Sequence, residues 1–199
     1  MDFDGCIALG ANAKIRFAKE RWGFELAVGQ TAEDTFPHSQ KMYREMMDVV
    51  GSARIMEYEL APGCKDVLGM LMGREHPIVV ITSRYDIELY PADVYAEAHG
   101  LPLSGMFNTN RGSKRSLIKR LKPAAFLDDS LSKLEQLTST GTALYFLKQE
   151  WNKHEWQRAS ELEQQGLIVP VNGWQHFYSH ITGSDFAAAR VVNHDPQSR

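Results

Sequence analysis

Four separated segments of this chain carry side chains that can do chemistry together. The first is Asp2-Phe3-Asp4-Gly5, an Asp-x-Asp-Gly. The second is Thr82-Ser83, at the end of the apolar run Ile78-Val79-Val80-Ile81. The third is the lone Lys114 of Gly112-Ser113-Lys114, and the fourth is Asp128-Asp129, which ends the run Phe126-Leu127. Carboxylates at i and i+2 after a strand point to the same side. A third acid from a neighbouring strand completes an oxygen-rich cage that suits Mg²⁺, which takes a few carboxylates, keeps waters and bridges to phosphate oxygen. The ion would also relieve repulsion among the acids and toward an anionic substrate. In such a cage Asp2 can attack phosphorus as a nucleophile. Asp4 can protonate the leaving oxygen and then activate water. Thr82 and nearby backbone N–H groups can hold the phosphoryl oxygens, and Lys114 can offset the charge that builds on the transferring group. Asp128 would hold the metal from the other side.

Each segment alone also has a plainer reading. An isolated Asp-x-Asp-Gly is a solvated turn, and it is not a calcium loop, because Cys6 and Leu9 stand where oxygen ligands are needed. Thr82-Ser83 reads as a helix cap, Lys114 as surface charge, and Asp128-Asp129 as a helix start favoured by the dipole. The weight comes from their joint occurrence, in this order, each at an expected strand tip or the following helix start.

The elements that position these groups follow from periodicity. Short runs rich in Val, Ile, Leu or Phe that stop at a polar residue read as buried parallel strands, whose tips form the ligand site of an open α/β sheet. Strands are expected over 78–82, 124–128, 143–147 and 167–171. Helices are expected over 11–23, with Gly23 as stop, from a start at Thr31 with Asp34 at the third position, and over 39–50. Further helices follow Pro62-Gly63 to about 72, run over 85–99 with a break at Pro91, follow Gly112-Ser113-Lys114 to about 121, and cover 130–140 and 174–181. The stretch holding Trp151 and Trp156 reads as polar connection. The expected fold class is α/β: a Rossmann-like core of residues 1–7 and 59–182, its parallel sheet flanked by helices. A small helical cap, residues 8–58, is inserted after the first strand, because that connection is too long for a loop. The tail, 183–199, lacks periodicity and reads as disordered. A strand leading to Asp2 should hold about five residues, yet only Met1 precedes it. The expectation is that the natural gene product begins upstream or that the chain is marginally stable.

Composition narrows the partners. The 199 residues suffice for one sizeable domain with a small insertion. With 22 Lys and Arg against 25 Asp and Glu, and no basic stripe, long nucleic acid is not an expected partner. No stretch approaches the roughly 20 apolar residues of a membrane span. The first ten residues carry two acids and no Lys or Arg, unlike a secretory signal. Two cysteines, Cys6 and Cys64, are too few for a disulfide framework. Reduced thiols and a cytoplasmic location are expected, with a small phosphorylated substrate as partner and a homodimer left open.

On these four segments the chain resembles the haloacid dehalogenase-like (HAD) phosphohydrolases, over most of its length. The resemblance implies that Asp2 is nucleophile and Asp4 acid/base. Thr82 and Lys114 would bind phosphate, Asp2, Asp4 and Asp128 would surround Mg²⁺, and Asp129 would touch the ion or stand just behind its ligands; beside the resemblance, Ser83 and Arg84 are further candidates for the phosphate. An acid two residues after the nucleophile is the pattern of the family's phosphatases. The helical cap, Pro62-Gly63, Thr82-Ser83, Gln149-Glu150-Trp151-Asn152 and Val171-Asn172-Gly173-Trp174 resemble the 5′(3′)-deoxyribonucleotidase branch, which implies a nucleoside monophosphate as substrate. Cys6, Arg84 and Glu150 depart from that branch's pattern. The same chemistry on a sugar phosphate, or an inactive binding protein on the same fold, are the other readings.

Remaining residues divide between chemistry and packing. Arg84 can reach a substrate phosphate or pair with a surface acid. Phe17, Trp22, Phe24, Phe36 and Tyr43 can stack on a base or form the core of the cap. Trp151 and Asn152 can buttress the loop beside the site or simply pack. His176 and His180 have the spacing of a zinc pair without a third ligand.

Overall fold

The computed structural model describes residues 1–184, so the tail lies outside the described residues from 185 onward. Strands β3 (Val79–Thr82) and β4 (Gly105–Asn108) pair in parallel, Val79 opposite Gly105 and Thr82 opposite Asn108. Strands β5 (Ala125–Asp128), β6 (Ala143–Leu147) and β7 (Val169–Val171) form a second parallel set. Residues 1–3 fill the place between the two sets. Met1 N donates to Val79 O (2.9 Å), Ile81 N donates to Met1 O (2.8 Å), and Asp2 N donates to Leu127 O (2.8 Å). These bonds join the strands into one layer, β4–β3–(1–3)–β5–β6–β7. They also set Asp2 beside the C-terminal ends of β3 and β5, where Thr82 and Asp128 stand.

Alternation along the strands explains why their sequences are apolar throughout. Ile81, Phe126, Leu144 and Phe146 enter one core cluster. There they meet Ile118 of α5 (Arg115–Leu121), Leu131 and Leu134 of α6 (Leu131–Glu135), and Ala159 and Leu162 of α7 (Trp156–Gln164). Val80, Leu127, Tyr145, Leu147 and Val171 enter the other cluster. It contains Val67 and Leu68 of α3 (Cys64–Met72), Ala92 and Tyr95 of α4 (Asp86–Ala98), and Trp174 and Phe177 of α8 (Trp174–Thr182). A sheet buried on both faces needs apolar residues at both parities. Cys6 and Cys64 are buried and free.

Between the first residues and α3 lies a largely helical insertion. Its ends are pinned by a two-residue antiparallel pair, β1 (Ala8–Leu9) with β2 (Glu59–Leu60), and by Ala61 N donating to Ile7 O (2.8 Å). The stretch expected to be helical from residue 8 therefore begins as a strand. Helix α1 (Ala11–Trp22) stops at Gly23, whose φ of 73° lets its N–H reach back to Ala18 and Lys19 carbonyls. Helix α2 (Gln40–Asp48) starts on Ser39, whose hydroxyl accepts from Met42 N, and widens into a π turn over Val49–Ala53. Phe17, Ala18, Met46 and Val50 of the insertion join the same cluster as Phe3 and Trp174, so insertion and sheet share one core.

Four expectations fail for local reasons. No helix starts at Thr31, because its hydroxyl donates backward to Val28 O (2.8 Å) and closes a 3₁₀ turn over Val28–Gln30. Helix α4 runs unbroken through Pro91. The carbonyl that proline leaves without a helical donor belongs to Ile87, a residue on the exposed side of the helix. Strand β4 escaped notice because Gly-Met-Phe-Asn has a glycine, no β-branched residue and no fully buried position. Where polar connection is expected, helix α7 forms, and its sequence gives little sign of it because only Ala159 and Leu162 are buried among its polar residues.

Candidate active site

Asp2 lies on the floor of a cavity of about 690 Å³ off the strand tips. Its Oδ1 accepts from Phe3 N (2.8 Å), and its Oδ2 meets Lys114 Nζ at 2.8 Å and Lys133 Nζ at 3.7 Å. Lys114 also donates to Asp128 Oδ2 (2.7 Å), so one buried ammonium bridges two buried carboxylates. Burial opposes charge on Asp2, but Lys114, Lys133 and the Phe3 N–H hold its carboxyl below the usual range. The other oxygen of Asp128 accepts from Ser130 N (3.0 Å). Thr82 is buried with its hydroxyl unpartnered at the cavity wall. Ser83 lines the same wall and its hydroxyl accepts from Thr109 Oγ1 (3.3 Å).

Asp4 occupies a different setting. Arg84 grips it in bidentate fashion, Nε to Oδ2 at 2.8 Å and Nη2 to Oδ1 at 2.7 Å. The guanidinium lies over the Phe3 ring, 4.9 Å from its centroid, and its Nη1 donates to the Gly51 carbonyl in the π turn. Arg84 is buried, and the acid it binds is Asp4 of the cavity lining, itself partly exposed.

Oxygens of Asp2, Asp128 and Asp129 lie within 4.8 Å of one another. Asp4, expected with them, stands outside that triplet and turns to Arg84. Burial, with the charges of Asp128 and Asp2 close by, pushes the Asp129 carboxyl up to about 7. Three carboxylates this close make an all-oxygen donor set, which suits a hard cation such as Mg²⁺. The fit is therefore good. Gly5 has a φ of 75°, and a β-carbon there would overlap the Asp129 carboxylate. Trp151 Nε1 donates to Asp129 Oδ2 (2.8 Å) and Asn152 Nδ2 to Asp129 O (2.8 Å). Both therefore buttress the site, and Gln149 Nε2 adds a bond to Gly5 O (3.1 Å).

The insertion supplies the opposite wall, with Lys14, Tyr43, Met47 and Tyr58. Of the cap aromatics singled out from the sequence, Tyr43 reaches the cavity, whereas Phe17 and Phe36 belong to the core. The residue that sequence reasoning missed is Lys133. Its signal was present: Leu131 and Leu134 face the core at helical spacing, which turns Lys133 to the other side of α6, just past the strand tip.

No family model matches the sequence, and no curated protein matches it. Solved structures do match in fold. A Thermotoga maritima protein described as a β-phosphoglucomutase has a TM-score of 0.61 at 14% identity, over 92% of this chain and 96% of that one. A HAD hydrolase of family IA, variant 3, from Entamoeba histolytica has 0.57 at 14% identity, over 96% and 97%. A phosphonoacetaldehyde hydrolase-like protein from Oleispira antarctica has 0.56 at 14% identity, over 98% and 93%. The chain thus has the fold of HAD-superfamily hydrolases, a Rossmann-like α/β layer with helices on both faces, as its strand and helix pattern led us to expect.

Proposed function

We propose that the protein is a Mg²⁺-dependent phosphomonoesterase that works through an aspartyl-phosphate on Asp2. The reading is carried by the meeting of Asp2, Asp128 and Asp129, the first two bridged by buried Lys114, below a cavity where Thr82 offers an unpartnered hydroxyl. An Asp2 oxygen attacks phosphorus, and the bond from phosphorus to the leaving oxygen breaks. That oxygen keeps the electron pair and takes a proton from Asp4. In the second half, Asp4 takes a proton from water as the water oxygen attacks phosphorus. The bond to Asp2 then breaks and phosphate leaves. Asp4 must exchange Arg84 for the reacting oxygen before it transfers a proton. Lys114 fixes the rotamer of Asp2, and Thr82 donates to a phosphoryl oxygen, with Ser83 and Arg84 at the same end. Mg²⁺ held by Asp2, Asp128 and Asp129 would neutralise these acids and polarise a phosphoryl oxygen.

The substrate on this reading is a nucleoside monophosphate or a similar small ester, with Tyr43 and Tyr85 on the cavity wall as stacking surfaces. A sugar phosphate is the second reading. It is favoured by Tyr58 Oη and Glu88 Oε1, both buried without a partner beside the cavity and suited to hydroxyl groups. Hydrolysis of p-nitrophenyl phosphate with and without Mg²⁺, followed by a panel of nucleotides and sugar phosphates, tests both. Metal-dependent turnover that vanishes in Asp2→Asn, with label from substrate phosphate trapped on Asp2 of the unaltered protein, is the expected result. Turnover retained by Asp2→Asn would overturn the nucleophile assignment. Phosphate binding without any turnover would point to a binding protein.

A further inference from the structure

The two lysines beside Asp2 are held differently. Lys114 is buried and committed to carboxylates at 2.7 and 2.8 Å. Lys133 stands at 3.7 Å from the same Asp2 oxygen, too far for a hydrogen bond, and its side chain keeps 42% of its surface accessible within the cavity lining. The short helix α6 fixes where this side chain leaves the backbone, since Leu131 and Leu134 are locked in the core. Across the cavity wall, the unpartnered Thr82 hydroxyl awaits an acceptor.

We propose that Lys133 is the ammonium that meets the arriving phosphoryl group, while Lys114 stays bound to Asp2 and Asp128. The proposal rests on the phosphoryl-transfer reading of the same cavity and adds a residue to it. An ammonium with one loose contact loses little when it turns to a phosphate oxygen. One locked between two buried carboxylates would leave them uncompensated. Lys133 thereby carries a second consequence. In the absence of anion its charge adds to the acid cluster's own counterions, so it works against a divalent cation at Asp2, Asp128 and Asp129. Anion binding and cation binding should then respond to this one side chain in opposite directions.

The test uses Lys133→Met, which keeps the aliphatic stem, and Lys133→Arg, which keeps the charge. Calorimetry measures Mg²⁺ alone and inorganic phosphate in the presence of Mg²⁺. Lys133→Met should weaken phosphate by roughly tenfold or more and tighten Mg²⁺ by about threefold, the scale of one nearby charge in a partly solvated site. Lys133→Arg should restore phosphate affinity to within about threefold of the unaltered protein. With p-nitrophenyl phosphate, the loss in Lys133→Met should fall on KM at least as much as on kcat. Unchanged phosphate affinity in Lys133→Met would overturn the proposal. So would a joint weakening of both ions with a lowered melting temperature, which marks a structural role. Absence of turnover in the unaltered protein counts against the hydrolase reading, whereas the phosphate titration decides Lys133 by itself.

Discussion

The floor of the cavity and its rim are tied by contacts of different kinds. On the floor, Lys114 joins Asp2 and Asp128, and the three side chains are at most 3% exposed. Across the rim, between insertion and sheet, Arg111 pairs with Glu33, His154 with Asp34 at 3.3 Å, and Arg44 with the Tyr85 hydroxyl. The side chains of the Arg111–Glu33 and His154–Asp34 pairs are 41–66% exposed. Exposed pairs contribute little, whereas a buried charge stripped of its partner is costly. The floor groups are thus held by buried charge, whereas the polar contacts of the rim are exposed. Arg84 is the exception, a buried link from Asp4 on the floor to Gly51 in the insertion.

Lys114→Met should give the largest effect. Two buried carboxylates would lose their shared partner, at a cost of about 3–5 kcal/mol in a denaturant titration. A loss under about 1 kcal/mol, the surface-pair range, would erase the contrast between floor and rim. Gly5→Ala comes next. It forces a positive φ on a side chain and pushes on Asp129, so a loss of about 1–3 kcal/mol and weaker Mg²⁺ binding are expected by melting and calorimetry.

The ordering of these effects mirrors what could be read from the chain. The floor was legible because Thr82 and Asp128 each end a short apolar run, and strand tips of a parallel layer converge by geometry. Lys133 was not, because α6 announces itself by Leu131 and Leu134, and the charge between them looks like a solvated face. Arg84 was legible as a charge near the site, but its partner was not, since nothing local to Thr82-Ser83-Arg84 points to Asp4, eighty residues away. At Thr31 and Pro91 the local rules were sound, but a backward hydroxyl bond and a position on the exposed side of the helix overrode them.

Arg84→Met tests the link between the regions. It removes a bidentate pair with a half-exposed acid and a bond to Gly51. A cost of about 1–3 kcal/mol is expected, together with faster proteolysis of the insertion. A smaller effect is expected at the base of the insertion. Hydrogen bonds from Arg54 and Arg16 hold Glu57 down to about 2, against an ordinary 4.5. A depressed carboxylate stabilises above its unfolded value, and that contribution fades as pH falls from 4.5 toward about 2. The melting difference between the unaltered protein and Glu57→Gln should therefore shrink over that window and be flat near neutrality. Arg111→Ala should do least, about 0.5 kcal/mol or less in stability. A stability loss equal to that of Lys114→Met would show the rim to be as rigid as the floor.

The pairing of Ala8–Leu9 with Glu59–Leu60 brings both ends of the insertion side by side on the sheet. The entropy of closing such a loop grows only with the logarithm of its length. Segments of quite different size can therefore be grafted between these two anchor points, provided they refill the places of Phe17, Met46 and Val50 in the shared core. A chimera carrying a foreign segment here would replace Lys14, Tyr43 and Met47 on the cavity wall and keep Asp2, Lys114 and Asp128 in place, which makes these four residues the natural splice site for exchanging that wall.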